Sequence, residues 1–297
     1  MARRYFAIFA AACGALAPAC VGHGIIGDGT SVSYGPSQFG SVIGGVRLPE
    51  RGVGYWTPPR WEKRGIRYGT DELVSMLVHM GRELDREKPG MVMSVADLSP
   101  ERGGPSAWHR SHQTGRDVDL VFAIRDADGN PRLPDEMRRF NADGQSFVAG
   151  KTPKLTTPVY QFDDAANWLV IKALLENPIA EVQYVFISDD LKQRLLDHAT
   201  ATGERRELIE RASYLLHQPS DSQPHDDHMH VRIYCSPTDR SLGCLDFGVM
   251  RWEKKDYKYE QRPARVAVPR RLARVLRAPI YTALALSALP FRGFAPR

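Results

Sequence analysis

Along the chain, segments whose hydrophobic residues have helical spacing alternate with segments whose hydrophobic residues have strand spacing. Leu73, Val74, Leu77 and Val78 recur on one helical face behind Thr70, which is well suited to cap a helix N-terminus. The same reasoning predicts helices after Asp163 and over 189–199 and 204–216, and strands over 91–98, 117–124, 182–187 and 229–234. Interleaved helices and strands predict an α+β fold with a small, mostly antiparallel central sheet, flanked by helices and long loops.

The two ends of the chain differ in composition from its middle. Residues 1–20 combine Arg3 and Arg4 with an apolar run that is too short to span a bilayer, which predicts an export signal. The residues before Cys20 resemble the cleavage box of bacterial lipoproteins, so lipid attachment at Cys20 is an open alternative. Residues 21–60 are rich in Gly, Ser and Pro and predict an extended N-terminal arm.

The rest of the chain divides into a folded body, residues 61–255, and a basic tail, residues 256–297. Hydrophobic residues make up 42% of the chain and charged residues 25%, which excludes a disordered, collagen-like or multi-span membrane protein. The net charge of +5 is uneven, because residues 262–297 contain eight Arg and no acidic residue. The composition of this tail indicates either a solvated segment or a segment that attaches to a membrane or another anionic surface. A lipid at Cys20 would strengthen such attachment. No nucleic-acid partner is expected, because the basic charge lies on a tail of an exported protein and not on a domain face.

Cys235 and Cys244 are the cysteines that follow the signal region, and they flank a loop with Pro237 and Gly243. Two cysteines around a short loop of an exported protein favour a local disulfide. A free pair, or two members of an incomplete zinc site, are the alternatives that the spacing leaves open.

Histidines supply the strongest chemical signal. Five of the nine fall within two short windows: His109, His112, His225, His228 and His230. His228 and His230 are two apart in a predicted strand, so their side chains lie on one face. Asp119 lies in another predicted strand, and His112 lies in the loop that leads into it.

If these two strands are neighbours, His112, Asp119 and His230 meet with a fourth position open, which is a catalytic zinc (Zn²⁺) set. The central sheet is therefore predicted to carry a zinc site, although other divalent ions suit the same ligands. A cation there would polarise a carbonyl and lower the pKa of water, and a nearby neutral histidine could carry the proton. The H-E-x-x-H helix motif and the G-x-S-x-G motif are both absent from the sequence.

The motifs around these residues, S-H-Q-T-G-R-D-V-D over 111–119 and H-D-D-H-M-H-V-R over 225–232, resemble those of the penicillin-insensitive murein endopeptidases. That family belongs to a wider group with the lysostaphin-type peptidases and the D-alanyl-D-alanine dipeptidases. The resemblance runs from about Gly65 to Trp252. It implies that residues 61–255 form a zinc metallopeptidase domain that hydrolyses D-alanyl–diaminopimelyl cross-links of peptidoglycan in the periplasm.

The resemblance also implies individual roles. His112, Asp119 and His230 would ligate zinc, His228 would be the general base or stabilise the oxyanion, His225 would assist it, and His109 would line the site or help to hold a second ion. Asp117 is expected to face the same side as Asp119 and to orient a ligand histidine. Apart from the resemblance, the position of Trp108 beside His109 predicts that it borders the cleft. The chain departs from the family's usual form in having fewer cysteines and in its Arg-rich tail.

Two other functions remain open on the sequence. A D,D-carboxypeptidase or dipeptidase would trim the ends of stem peptides with the same ligand set. A non-catalytic zinc-containing protein would bind the wall without turnover.

Overall fold

The computed structural model describes residues 29, 31–146 and 159–246. The predicted signal peptide 1–20 with Cys20, part of the 21–60 arm, and the basic tail 256–297 lie outside the described residues. Those boundaries, and the attachment roles predicted for the tail and for a lipid at Cys20, stay predictions.

Within the described residues the chain forms six helices and fifteen short strands. The helices are α1 (Pro59–Glu62), α2 (Asp71–Glu87), α3 (Asp164–Glu176), α4 (Asp189–Ala201), α5 (Arg206–Leu215) and α6 (Pro237–Leu242). The strands are β1 (Val32–Tyr34), β2 (Ser41–Ile43), β3 (Val46–Arg47), β4 (Arg51–Gly52), β5 (Tyr55–Trp56), β6 (Tyr68–Gly69), β7 (Met93–Val95), β8 (Asp117–Val121), β9 (Ile124–Asp126), β10 (Pro131–Arg132), β11 (Gln145–Ser146), β12 (Tyr160–Phe162), β13 (Val182–Phe186), β14 (Leu216–His217) and β15 (His228–Ile233).

Seven of these strands form one mixed central sheet in the order β14-β13-β15-β8-β7-β5-β4. The pairs β13–β14 and β5–β7 are parallel, and the other four pairs are antiparallel. The α+β class is confirmed, but the prediction of a small sheet is wrong. The sheet is larger because the two-residue strands β4, β5 and β14 extend its edges.

The two central strands separate an apolar face from a polar face. Val118 and Leu120 of β8 and Val231 of β15 are buried in the main hydrophobic core, which also contains the apolar residues of α2 to α5. The alternate residues of β8 and β15 point to the opposite side, because side chains alternate along a strand. His230 of β15 lies directly opposite Asp119 of β8 in the antiparallel register. The helices therefore cover one face of the sheet, and the other face carries the predicted ligands.

Local sequence signals determine where α2 begins and which of its faces packs into the core. Thr70 caps α2 as predicted, since its hydroxyl accepts a hydrogen bond from the Leu73 amide at 3.3 Å. The apolar stripe of α2, with Leu73, Val74 and Leu77 fully buried, packs into the core. Asp163 caps α3 in the same way, accepting from the Ala166 amide at 3.1 Å.

The segment before α1 supports the loop that carries His112. The Val42 amide donates to the Arg102 carbonyl, and the Gln113 amide donates to the Ser37 carbonyl, each at 3.1 Å. The β1–β2 segment, which lies outside the central sheet, thus holds the 99–115 loop in place. None of the helices among the described residues is long and apolar enough to cross a membrane.

Candidate metal and active site

Three side chains converge at the centre of the polar sheet face. His112 Nε2 lies 3.3 Å from Asp119 Oδ1 and 3.2 Å from His230 Nδ1, and His230 Nδ1 lies 3.1 Å from Asp119 Oδ1. Bonds of about 2.0–2.1 Å to a tetrahedral zinc ion place two ligand atoms about 3.3–3.4 Å apart. The triangle of donor atoms therefore has the size of one face of a zinc coordination tetrahedron.

The hydrogen bonds of the two histidines determine which nitrogens are free. His112 Nδ1 lies 2.7 Å from the Leu98 carbonyl, which can only accept, so Nδ1 carries the proton. His230 Nε2 lies 3.0 Å from Asp117 Oδ1 and donates to it, which in the neutral ring makes Nδ1 the nitrogen with the lone pair. In these neutral tautomers two nitrogen lone pairs and a carboxylate oxygen face one another. Such an arrangement is repulsive by itself and is suited to a cation in the middle.

Asp117 connects His230 to a buried positive charge. Asp117 Oδ1 also accepts from Arg232 Nε at 2.6 Å, and both side chains are buried. Burial alone would raise the pKa of Asp117, but the Arg232 guanidinium and the hydrogen bond from His230 outweigh it and hold the pKa well below the ordinary value. The permanent charge of Asp117 fixes the His230 tautomer, as outer-shell carboxylates do in metal sites.

His228 stands at the edge of the triangle with its own carboxylate. His228 Nδ1 donates to Asp227 Oδ1 at 2.6 Å, and its Nε2 lies 3.5 Å from Asp119 Oδ1. Burial acts to lower the pKa of His228, but the charges of Asp119 and Asp227 outweigh it and raise the pKa above its ordinary value. This is the arrangement of a proton carrier whose orientation is fixed by a third group.

His225 lies beside His228, but its pKa is shifted in the opposite direction. Its ring centroid is 5.4 Å from that of His228. Burial, together with the neighbouring His228 and His230, lowers the pKa of His225 to about 4. His225 is therefore neutral near pH 7, and its buried Nδ1 has no hydrogen-bond partner among the described residues.

His109 lies next to the triangle and stacks on His112 with ring centroids 4.2 Å apart. Its Nε2 donates to Asp97 Oδ2 at 2.8 Å and lies 3.7 Å from Asp119 Oδ2. Asp97 is fully buried and also binds Arg64 Nη1 at 2.5 Å. Neither Asp97 nor Arg64 was predicted from the sequence. The only signal for Asp97 is an acidic residue inside the apolar run of a predicted strand.

The backbone at His112 adopts an uncommon conformation. His112 has φ +64°, and it is the single non-glycine residue with positive φ in the part of the chain that the structure describes. Strained backbone of this kind clusters at functional sites and persists where the surroundings hold it. Gly115 has φ +74°, and a Cβ there would lie 2.9 Å from the Thr70 amide nitrogen. The loop is therefore closely packed against Thr70 just after His112.

A disulfide closes the end of β15. Cys235 and Cys244 are bonded, which confirms the predicted pair. The Cys235 amide donates to Asp246 Oδ1 at 2.8 Å, and the buried Arg116 donates to the same oxygen at 3.0 Å. The loop thus anchors Arg116, the residue that immediately precedes Asp117.

The structure brings the predicted catalytic and metal-ligating residues into one cluster. Two groups of side chains have ligand atoms within 4.8 Å of one another: His109, His112 and Asp119, and Asp119, His228 and His230. His225 and the predicted orienting residue Asp117 lie beside them. The chemical role of each residue stays a prediction.

Comparison with known proteins gives one consistent result. The family model described as penicillin-insensitive murein endopeptidase matches residues 33–247, starting earlier than the resemblance noted from Gly65. The chain is 27% identical to the penicillin-insensitive murein endopeptidase of Klebsiella pneumoniae (strain 342), with 73% of this chain and 71% of that protein covered. The proteins of the same name from Yersinia enterocolitica and Haemophilus influenzae are 28% and 27% identical, with 73% and 72% of this chain and 70% and 67% of those proteins covered.

Proposed function

This chain belongs to the penicillin-insensitive murein endopeptidase family, and we propose that it is a zinc-dependent endopeptidase that hydrolyses D-alanyl–diaminopimelyl cross-links of peptidoglycan. The observation that carries the proposal is the triangle of ligand atoms on His112, Asp119 and His230, at 3.1–3.3 Å from one another. Curated relatives that cover most of this chain carry the name of murein endopeptidase, which supplies the substrate class.

The donor set fits zinc in ligand type and in spacing. Two imidazoles and one carboxylate would supply three protein ligands and leave a fourth position for water or substrate, as in catalytic zinc sites. When bound, the ion would polarise the peptide carbonyl and lower the pKa of water. The hydrogen bonds from His112 to Leu98 and from His230 to Asp117 hold both ligands in the required tautomer.

The proton transfers fall to His228. Its Nδ1 proton is held by Asp227, so its Nε2 can accept the proton of the attacking water and return it to the leaving amine. His225 is neutral near pH 7, so it places no second positive charge beside a protonated His228. His109, which Asp97 orients, lines the same site.

A peptidoglycan substrate supports a location outside the cytoplasm. We propose that residues 1–20 direct export to the periplasm, where peptidoglycan lies, and that peptidoglycan is the partner of the folded body. Attachment of the tail or of Cys20 to a membrane involves residues outside the described part of the chain, and nothing in the described part supports it.

Mass spectrometry of purified cross-linked muropeptide dimers, incubated with the full chain, tests the proposal. The assay is run with added zinc, after chelation, and with His228→Ala. His198→Ala on α4 is the matched control, because it removes an imidazole from a helix away from the cluster. We expect zinc-dependent conversion of dimers to monomers that His228→Ala abolishes and His198→Ala retains.

The other outcomes would change the conclusion in distinct ways. Dimers that stay linked but lose a terminal D-alanine would make the protein a carboxypeptidase. A folded, zinc-binding protein that leaves all muropeptides unchanged would be a wall-binding protein without turnover. Cleavage that survives full chelation would refute the metal dependence.

A further inference from the structure

Trp108 is a large aromatic side chain that the fold leaves open beside the metal ligands. It is 56% exposed and immediately precedes His109 in the 99–115 loop. An indole contributes most when it is buried, so its exposure next to a cluster of site residues points to a contact made with another molecule.

The ring of Trp108 is held in place from one side. The Arg64 guanidinium lies over it, 4.1 Å from the ring centroid. Arg64 is tied to Asp97 by an ion pair of 2.5 Å, and the same Asp97 oxygen accepts from His109 at 2.8 Å. The fully buried Asp97 carboxylate therefore fixes both the support of Trp108 and the orientation of His109.

The backbone at Trp108 is ordered by the same loop. The amides of Trp108 and His109 face the Ser106 hydroxyl at 3.4 and 3.2 Å. A rigid aromatic face that is already positioned loses little entropy when a ligand covers it.

The Trp108 ring backed by Arg64 forms an aromatic platform, and its chemistry favours an apolar group of a ligand. The positive charge of Arg64 is neutralised by Asp97, so the pair offers no free cation to a substrate carboxylate. The free side of the Trp108 indole is a flat, carbon-rich surface suited to aliphatic C–H groups. An alkyl group of the substrate would lose its water shell against this ring.

The position of the platform decides which part of the substrate it meets. The Arg64 under the indole shares an Asp97 oxygen with His109 Nε2. This nitrogen lies 3.7 Å from Asp119 Oδ2 in the metal triangle. A group on Trp108 is therefore close to the scissile bond, whereas the sugar is separated from that bond by several residues of stem peptide.

We propose that Trp108, backed by Arg64, is a substrate-binding residue that holds an aliphatic portion of the stem peptide next to the scissile bond. This inference rests on the proposed function and deepens it. Trp108 determines affinity for the peptide, and the metal and proton chemistry is left to the histidine cluster.

Steady-state kinetics on two substrates test the inference: cross-linked peptide dimers with their disaccharides and the same dimers without sugar. We expect Trp108→Ala to raise KM about tenfold on both substrates, as loss of an aromatic contact implies, with kcat within about twofold. Trp108→Phe keeps an aromatic face and should fall between the two. Tyr214→Ala, which removes an exposed aromatic of α5, is the matched control and should behave as wild type.

Each of the other outcomes would contradict a specific part of the inference. A rise in KM confined to the sugar-bearing dimers would make Trp108 a glycan contact. A fall in kcat with unchanged KM would show that Trp108 acts only through His109. Unchanged KM with normal turnover would refute the inference and leave the proposed function intact.

If wild-type protein does not cleave the dimers, the proposed function fails, and binding still decides the inference. Titration of His228→Ala protein with sugar-free dimers should then change tryptophan fluorescence, and His228→Ala/Trp108→Phe should lose most of that change. No Trp108-dependent signal at saturating dimer would overturn the inference as well.

Discussion

Asp117→Asn isolates the link between the proposed metal ligand His230 and the rest of the fold. Asp117 Oδ1 accepts from His230 Nε2 at 3.0 Å and from Arg232 Nε at 2.6 Å. Asparagine keeps an acceptor oxygen in the same place and removes the charge. Loss of such an outer partner costs about 10–100-fold in metal affinity, or about 1.4–2.8 kcal/mol.

Competition with a chromogenic zinc chelator measures this loss directly in the purified protein. Thermal unfolding is followed in parallel, because the substitution leaves the buried Arg232 without its counter-charge, which costs on the order of 3 kcal/mol. Asp128→Asn, in the exposed turn between β9 and β10, is the matched control and should change neither the zinc affinity nor the midpoint.

A folded Asp117→Asn protein with unchanged zinc affinity would refute the argument that Asp117 fixes the ligand tautomer. Arg232→Lys provides a second test that does not depend on the folding of Asp117→Asn. Lysine keeps the positive charge but loses the planar fork, so we expect a few-fold loss of zinc affinity. Full retention of affinity in this variant would contradict a role for the Arg232–Asp117–His230 connection.

Three further predictions concern stability. Chelation should lower the melting temperature in calorimetry and zinc should restore it, by up to about 4 kcal/mol at a thousandfold excess over Kd; an unchanged midpoint would mean that the folded protein holds no ion. Replacing Cys235 and Cys244 by serine should cost about 2–3 kcal/mol in urea unfolding, because the short ring then no longer restricts the unfolded chain, and an equal midpoint would contradict this. Burial, aided by nearby Glu72 and Asp71, raises the pKa of Asp239 from 3.8 to about 6, so the stability it contributes is present below pH 4 and lost as the pH rises through 6. Asp239→Asn should therefore raise the melting temperature at pH 8 relative to wild type but not at pH 4, and a pH-independent difference would count against the assignment.

Elements with strong local signals were predictable from the sequence. α2 begins after Thr70 as expected, since a capping hydroxyl and an apolar stripe with helical spacing act within a few residues of each other. Strands β4, β5 and β14 were not predicted, because two-residue strands have no periodicity of their own. Pairing in the sheet defines them: β5 pairs with β7 and β14 with β13, each distant along the chain, and β4 pairs with β5.

The candidate site was also predictable from the sequence only in part. His230 and Asp119 could be placed together because each lies on an alternating strand, and the structure pairs those strands in the register that sets them opposite each other. Asp97 and Arg64 were missed, since only tertiary packing brings them to His109. The positive φ of His112 was also beyond prediction, because non-glycine residues adopt it only where the surrounding fold requires it.

One alternating pattern specifies both the hydrophobic core and the site. In β8 and β15, Leu120 and Val231 enter the core while Asp119 and His230 face away, in the same antiparallel register. A slip of one residue would send the carboxylate and the imidazole into the apolar core and the aliphatic side chains out of it. The burial of the aliphatic residues therefore enforces the register that aligns the ligands. The same register sets the spacing between Asp119 and His230, so no further structural feature is needed to align them. His112 is the one member of the triangle that a loop supplies, and the strained backbone lies at this residue.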